Sequence, residues 1–131
     1  MSAVIRWIII SILMLVAGPA FSDTSGQAVQ IFMCEMEDEA NDEDIIAMSG
    51  KWLKAAKGMK GGANIQVYLR FPIAAEMGSH DFKFVIGFPS FEEWGAFTDA
   101  YEGSPAELVD DEFDKIAHCM DSMLWEGILI K

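Results

Sequence analysis

The order of the hydrophobic patterns constrains the fold more than any other feature of this sequence. Apolar and β-branched residues at strand spacing alternate with stretches in which apolar residues recur every three or four positions, as on one face of a helix. The order along the chain is β-α-β-β-α-(α)-β, so a strand–helix–strand unit is used twice. The predicted strands cover about 28–36, 64–71, 81–88 and 118–130, and the predicted helices cover about 43–57, a segment after Ser90 and a segment after Ser104.

This order predicts an α+β domain with a four-stranded antiparallel sheet and helices on one face, the ferredoxin-like split βαβ arrangement. Right-handed crossovers place the first and third strands in the centre and the fourth beside the first, antiparallel to it. Cys34 lies near the end of the first strand and Cys119 near the start of the fourth. Since those ends meet in antiparallel neighbours, the topology predicts a Cys34–Cys119 disulfide.

The N-terminal segment has the pattern of a cleavable secretory signal peptide. Arg6 is the only charged residue before Asp23, and the apolar run 7–17 is followed by a small-x-small sequence at 20–22. An uncleaved membrane anchor is the alternative, but the run is shorter than the roughly 20 residues that span a bilayer. We therefore predict removal of residues 1–22, a single domain at 23–131, and export to the periplasm or the medium.

Acidic residues outnumber basic ones by 21 to 9, which gives a formal net charge of −12. A surface of this charge repels nucleic acid and anionic lipid. We therefore expect no nucleic-acid partner and no membrane association after signal cleavage. No sequence pattern indicates a cofactor, and none is predicted.

Candidate metal ligands do not form a recognisable set in the sequence. The two histidines, His80 and His118, have no further ligands at the spacing that zinc sites use. The acidic run 37–44 departs from the calcium-binding EF-hand template, because Glu43 and Ser49 occupy the glycine and glutamate positions. We interpret the run as a helix-capping loop and predict no metal site. No catalytic motif is present either, so catalytic residues remain undefined.

The segment 82–105 resembles a known superfamily. The strand Phe-Lys-Phe-Val-Ile-Gly-Phe at 82–88 leads into Pro-Ser-Phe-Glu-Glu-Trp at 89–94, then into a helix and Ser104-Pro105. This junction is similar to that of the dimeric α/β-barrel superfamily, which includes the antibiotic-biosynthesis monooxygenase-like domains. The resemblance implies two ferredoxin-like domains paired through their sheets, and functions that range from cofactor-free oxygenation to haem degradation and small-ligand binding.

A ligand-binding pocket is predicted from four side chains. Tyr68 and Arg70 share one face of the second predicted strand. If that face points toward the helices, they line a pocket with Trp52 and Trp94 as its apolar walls, and Arg70 holds an anionic ligand. The alternative is that both tryptophans belong to the core, while Tyr68 and Arg70 face solvent or a dimer partner.

The strands are apolar on both faces, so a monomer would leave a sizeable apolar patch uncovered. We therefore expect a homodimer through the sheets. The leading hypothesis for function is a binding module for a small molecule or a protein. The second is a cofactor-independent monooxygenase-like enzyme with its pocket between sheet and helices. The third, a structural or protein-interaction domain, predicts no cavity.

Overall fold

The computed structural model describes residues 26–74 and 80–131. The predicted signal peptide, residues 1–22, lies outside the described residues, so its cleavage stays a prediction. Within these two ranges, no helix combines the length and apolarity needed to cross a bilayer.

The chain forms the predicted sequence of elements. The strands are β1 (Gln27–Met36), β2 (Gln66–Arg70), β3 (Phe82–Phe88) and β4 (Ala117–Gly127). The helices are α1 (Asp42–Lys57), α2 (Phe91–Asp99) and α3 (Pro105–Phe113). The four strands form one antiparallel sheet in the order β2-β3-β1-β4. The predicted α+β class and ferredoxin-like arrangement are confirmed, with β1 and β3 in the centre and β4 beside β1.

The helices begin where polar side chains cap them. The Asn41 side chain accepts hydrogen bonds from the backbone N–H groups of Glu43 and Asp44 at 2.9 and 3.0 Å, and the Asp44 carboxylate accepts from the Asn41 N–H at 3.1 Å. This reciprocal pair is a capping box, which places much of the acidic run at the positive end of the α1 dipole. Ser90 and Ser104 cap α2 and α3 at the predicted positions.

A glycine lets the loop after α1 approach α2 closely. Gly61 has a φ of +76°, a conformation that side chains with a Cβ rarely adopt. A Cβ at this position would also overlap the Glu93 carbonyl oxygen in α2. The absence of a side chain at Gly61 therefore allows the short distance between this loop and α2.

The core lies between the sheet and the helices because each strand alternates its side chains between two faces. In β3, the even-numbered residues Phe82, Phe84, Ile86 and Phe88 are buried in that core. Aromatic rings join the layers, as where Phe84 lies edge-on to Trp52 of α1 with ring centroids 5.3 Å apart. The odd-numbered residues of β1 and β3 lie on the opposite face, which we call the open face.

Candidate functional site

A cavity of about 420 Å³ lies between the sheet and the three helices. All three helices and the strands β1, β3 and β4 contribute to its walls. Its lining comprises Gln30, Phe32, Trp52, Phe84, Ile86, Phe97, Thr98, Tyr101, Glu102, Glu107, Asp110, Phe113, Asp114 and Cys119. We call this space the helix-side cavity.

Aromatic rings form the floor of the helix-side cavity. Trp52 is only 4% exposed and lies at the buried stripe of α1 that the sequence predicts. Phe84 and Phe97 both contact its ring edge-on or nearly so, with centroid distances of 5.3 and 6.0 Å. Phe113 in turn lies edge-on to Phe84 at 5.9 Å. Interlocked rings have few alternative rotamers, so this floor presents a fixed apolar surface.

A polar chain leads from the floor toward α3. The Trp52 indole Nε1 donates a hydrogen bond to the Tyr101 hydroxyl at 3.1 Å. The Asp110 carboxyl lies close enough to the Tyr101 hydroxyl for each group to influence the pKa of the other. Burial raises the pKa of Tyr101 well above its usual range, and the negative charge of Asp110 adds to the shift. The hydroxyl is therefore a neutral donor at any physiological pH.

Carboxylates surround this polar chain. Glu107, Asp110 and Asp114 follow one another on α3 and its C-terminal cap, at helical spacing. Desolvation by the cavity wall raises the pKa of Asp110, and the neighbouring charges of Asp114, Asp111 and Glu107 raise it further. The neighbouring Tyr101 hydroxyl acts in the opposite direction and lowers the pKa of Asp110. The site thus holds negative charges that repel one another next to an apolar floor.

The four predicted pocket residues do not come together. Trp52 lines the helix-side cavity, and Trp94 packs against the core, where its Nε1 donates to the Gln30 side-chain oxygen at 3.1 Å. Trp94 thereby orients an amide that lines the cavity. Tyr68 and Arg70 lie on the open face, because Val67 and Leu69 take the helix-facing positions of β2. The sequence analysis named both outcomes for Tyr68 and Arg70, and the solvent-facing one applies.

Tyr68 and Arg70 line a separate, smaller groove on the open face. Its volume is about 210 Å³, and Val29 and Val85 form its apolar part. The Tyr68 hydroxyl donates to the Gln66 side-chain oxygen at 3.0 Å. An arginine and two glutamines line this groove, whereas four carboxylates line the helix-side cavity. The two sites therefore differ in charge.

Sequence reasoning missed the polar residues of the helix-side cavity. It gave no role to Tyr101 or to the acidic run at 110–112. Asp110 is exposed, as on a solvated helix face, but it also borders the cavity. A usable signal was present, since Glu107, Asp110 and Asp114 recur at a spacing of three and four, each one position after a buried residue of α3. This spacing predicts an acidic row beside the buried face of the helix.

The two cysteines meet as the topology predicts. Cys34 and Cys119 are direct partners in the β1–β4 ladder, and their sulfurs lie at disulfide-bonding distance. The histidines lie near the same end of the sheet and pair with acidic side chains. His118 Nε2 is 2.7 Å from a Glu37 carboxylate oxygen, and His80 Nδ1 is 3.6 Å from a Glu35 carboxylate oxygen. Neither histidine lines the helix-side cavity.

The open face carries an apolar row that crosses all four strands. Tyr68 pairs with Val85, Val85 with Ile31, and Ile31 with Met123 in the strand ladders. One position further along, Trp125 of β4 pairs with Val29 and is 57% exposed. Tyr68 and Met123 in this row are exposed, whereas Val85 is already buried in the monomer. Exposed apolar side chains grouped on one face are typical of an interaction surface.

Comparison with known proteins shows what this architecture is similar to. Neither a family model nor a curated protein matches the sequence. Among solved structures, a dimeric ferredoxin-like protein of unknown function from Thermobifida fusca YX is 10% identical, with a TM-score of 0.51 over 80% of this chain and 92% of that chain. A DABB family protein with a ferredoxin-like fold from Mesorhizobium loti MAFF303099 is 10% identical, with a TM-score of 0.50 over 82% and 100% of the respective chains.

A third solved structure, a provisionally named chlorite dismutase, is 11% identical with a TM-score of 0.50 over 81% of this chain. The match covers 46% of that protein, so this chain corresponds to about half its length. At such low identity the likeness concerns the fold alone. The chain therefore has a ferredoxin-like fold similar to that of dimeric α/β-barrel proteins.

Proposed function

We propose that this protein is an exported binding module that holds a small organic molecule in the helix-side cavity. The observation that carries the proposal is the cavity itself, about 420 Å³ in volume with an aromatic floor and a few polar groups. Small-molecule sites commonly have volumes of about 300–1,000 Å³ and this combination of lining groups. A domain that served only as a scaffold would fill this space with side chains, as protein interiors do.

The arrangement of polar groups favours a specific ligand over non-specific apolar filling. The Trp52 indole donates to the Tyr101 hydroxyl, which fixes the orientation of these two groups, and the Asp110 carboxyl lies beside them. Gln30 is likewise fixed by its hydrogen bond with Trp94. Polar groups held in this way can discriminate between ligands by hydrogen bonding at little further cost in conformational entropy.

The test is to close the cavity without disturbing the core. Thr98 is exposed and lines the cavity, so Thr98→Phe places a ring across its opening. Glu92→Phe adds the same ring to an exposed position of α2 that does not line the cavity. Native mass spectrometry of protein exported from its own cells is expected to show bound small-molecule mass for the wild type and for Glu92→Phe, and none for Thr98→Phe. Equal bound mass in all three proteins would refute the site.

The same measurement examines export and the disulfide. The processed chain is expected to begin at Asp23 and to be two hydrogens lighter than its reduced form, because the oxidising space outside the cytoplasm maintains disulfides. A full-length chain that still carries Met1 would point to a retained anchor.

The proposal includes a homodimer formed through the open face. The apolar row of Tyr68, Val85, Ile31 and Met123 supplies a self-complementary surface around a two-fold axis. The Thermobifida fusca protein of similar fold is described as dimeric. Burial of the row against a second copy would remove its apolar side chains from water.

The dimer is tested with a charge introduced into the apolar row of the open face. Met123→Asp is expected to convert the dimer to a monomer in sedimentation velocity at micromolar concentration, because a buried, unpaired carboxylate at the interface costs several kcal/mol. Leu108→Asp is the control, since Leu108 is an exposed apolar residue of α3 on the helix side. A wild-type monomer, or a dimer that survives Met123→Asp, would exclude this interface.

A second candidate function, a cofactor-independent monooxygenase-like enzyme, draws on the Tyr101–Asp110 pair. A carboxylate whose pKa is raised by burial is a better proton acceptor than an exposed one. Asp110 could therefore take the proton of a phenolic substrate at the aromatic floor and leave a phenolate, the electron-rich species that O2 attacks. Oxygen consumption with a series of phenols and quinols tests this candidate. Turnover that Asp110→Asn abolishes would support the enzyme over the binding module.

A further inference from the structure

The charges around the helix-side cavity have one sign. Four carboxylates line it, Glu102, Glu107, Asp110 and Asp114, and none of the described lining residues is a lysine, arginine or histidine. An organic anion would enter this site against the combined repulsion of these groups.

Two lysines near α3 interact with a carboxylate that lies outside the cavity lining. Lys51 of α1 forms an ion pair with Glu112 of α3, and Lys115 also acts on Glu112. Glu112 lies outside the cavity lining, and so do both lysines. The carboxylates at the cavity are therefore left without these counter-charges.

Asp110 is the carboxylate best placed to receive a cation. One interaction of its carboxyl is with the Tyr101 hydroxyl, which in turn accepts from Trp52. Asp110 lies about one helical turn from both Glu107 and Asp114, which also line the cavity. Burial destabilises its ionised form, and the charges of Asp114, Asp111 and Glu107 destabilise it further. A cation between these groups would relieve that repulsion and stabilise every carboxylate at once.

The floor beside Asp110 suits the remainder of such a ligand. Trp52, Phe97 and Tyr101 supply aromatic surface within the same cavity. Aromatic rings attract an ammonium group through their negative faces, and they bury the apolar body that carries it. None of the described lining residues carries a positive charge that would form an ion pair with a carboxylate or phosphate.

We propose that the helix-side cavity selects a small organic cation, a protonated amine or quaternary ammonium group on an apolar or aromatic body. The ammonium group lies between Asp110 and Glu107, and the body packs on Trp52 and Phe97. This inference rests on the proposed ligand-binding function and reverses the sign of the ligand that the sequence analysis expected from Arg70.

Three probes of similar size and different charge test the proposal. These are 2-phenylethylamine, which is cationic at neutral pH, 2-phenylethanol, which is neutral, and phenylacetate, which is anionic. Affinities are measured by NMR titration at neutral pH and low salt. The amine is expected to bind about tenfold more tightly than the alcohol, and phenylacetate more weakly than either. Added salt is expected to weaken the binding of the amine but not the binding of the alcohol.

Two variants locate the charge selection. Asp110→Asn is expected to reduce the preference for amine over alcohol severalfold while retaining the binding of 2-phenylethanol. Asp38→Asn removes one charge from an exposed loop position outside the cavity lining and is expected to leave the preference unchanged. An equal loss in both variants would mean that only the net charge of the protein matters, and the proposal would be wrong.

The outcomes separate the two proposals. Equal binding of amine and alcohol, or stronger binding of phenylacetate, would overturn the cation selection while leaving the cavity as a ligand site. Binding of no probe in the millimolar range would count against the cavity as a ligand site, and the cation selection would fall with it. A preference for the amine that Thr98→Phe leaves intact would place the cation outside the cavity.

Discussion

The two faces of the sheet use the same four strands but differ in what covers them and in what they can bind. On one face, even-numbered residues of β1 and β3 pack under the helices and leave an aromatic, acidic cavity. On the other, the intervening residues form an apolar row bordered by Arg70 and two glutamines. Adjacent residues of one strand therefore point to opposite faces, one of which forms the proposed cation site and the other the proposed dimer surface.

The faces also differ in how their apolar residues are stabilised. Phe82, on the helix face, is fully buried within a single chain and contacts Phe71 and Phe113. Met123, on the open face, is 38% exposed in the monomer. The helix face contributes to folding, while the open face can contribute its full apolar surface only on association. The change in the free energy of unfolding should consequently depend on protein concentration for mutations on the open face, but not for mutations on the helix face.

The largest expected effect is on the helix face. Phe82→Ala should lower the free energy of unfolding by about 3–5 kcal/mol, because it removes a fully buried ring and leaves a cavity. Met123→Ala should cost less than about 1 kcal/mol in dilute protein, since its side chain is partly hydrated already. Urea unfolding at several protein concentrations measures both. A cost for Met123→Ala that grows with concentration would show that the open face is buried in a dimer, whereas equal costs at all concentrations would contradict the distinction.

The next effect concerns β4, the strand that supplies Met123 and Trp125 to the open face. Its main partner is β1, and the cysteines tie the two strands together across 85 residues of sequence. Replacement of both cysteines by alanine should lower the free energy of unfolding by about 2–4 kcal/mol, as expected when a long loop is opened in the unfolded chain. Hydrogen exchange should rise first in β4.

The control for this double variant is chemical reduction of the wild-type protein, which opens the bridge without a change in packing volume. Reduction and double substitution should give similar losses of stability. If neither changes the urea midpoint, the two sulfurs do not form a stabilising bond in the folded protein.

The fold could be predicted from sequence because its signals are local and mutually consistent. Ser104-Pro105 begins α3 as a capping pattern predicts, and Val67 and Leu69 alternate with Tyr68 as a half-buried strand requires. The Cys34–Cys119 pairing followed from strand order alone, since antiparallel neighbours bring those ends together. Each of these inferences needed only a hydrophobic periodicity, a helix-capping pattern or the handedness rule for crossover connections.

The site was predicted poorly because it depends on which face of an edge strand the helices cover. Alternation assigned Tyr68 and Arg70 to one face and Val67 to the other, but alternation alone does not say which of these faces is inside. The hydrophobic side is the buried one, and for β2 that rule favours Val67 and Leu69 over an arginine. The Tyr101–Asp110 contact joins the turn after α2 to α3, so no spacing within α3 reveals it.

The smallest expected effect concerns Asp110 itself and tests the electrostatics of the helix face. Because its pKa is raised in the folded protein, the ionised carboxyl opposes folding at neutral pH, and this penalty is relieved as the pH falls through the raised pKa. Asp110→Asn should therefore increase the free energy of unfolding at pH 7 by on the order of 0.5 kcal/mol, a small value because the group is partly exposed and screened.

The gain from Asp110→Asn should shrink as the pH is lowered, because the wild-type carboxyl then becomes neutral as well. Thermal unfolding of both proteins across the acidic range measures the difference, with Asp38→Asn as a control in an exposed loop. A variant that is less stable than the wild type at pH 7 would mean that the Tyr101 hydrogen bond outweighs the repulsion from Asp114, Asp111 and Glu107. In that case the ionised Asp110 would stabilise the folded protein. A cation that enters the helix-side cavity would then relieve less repulsion than the proposed selectivity requires.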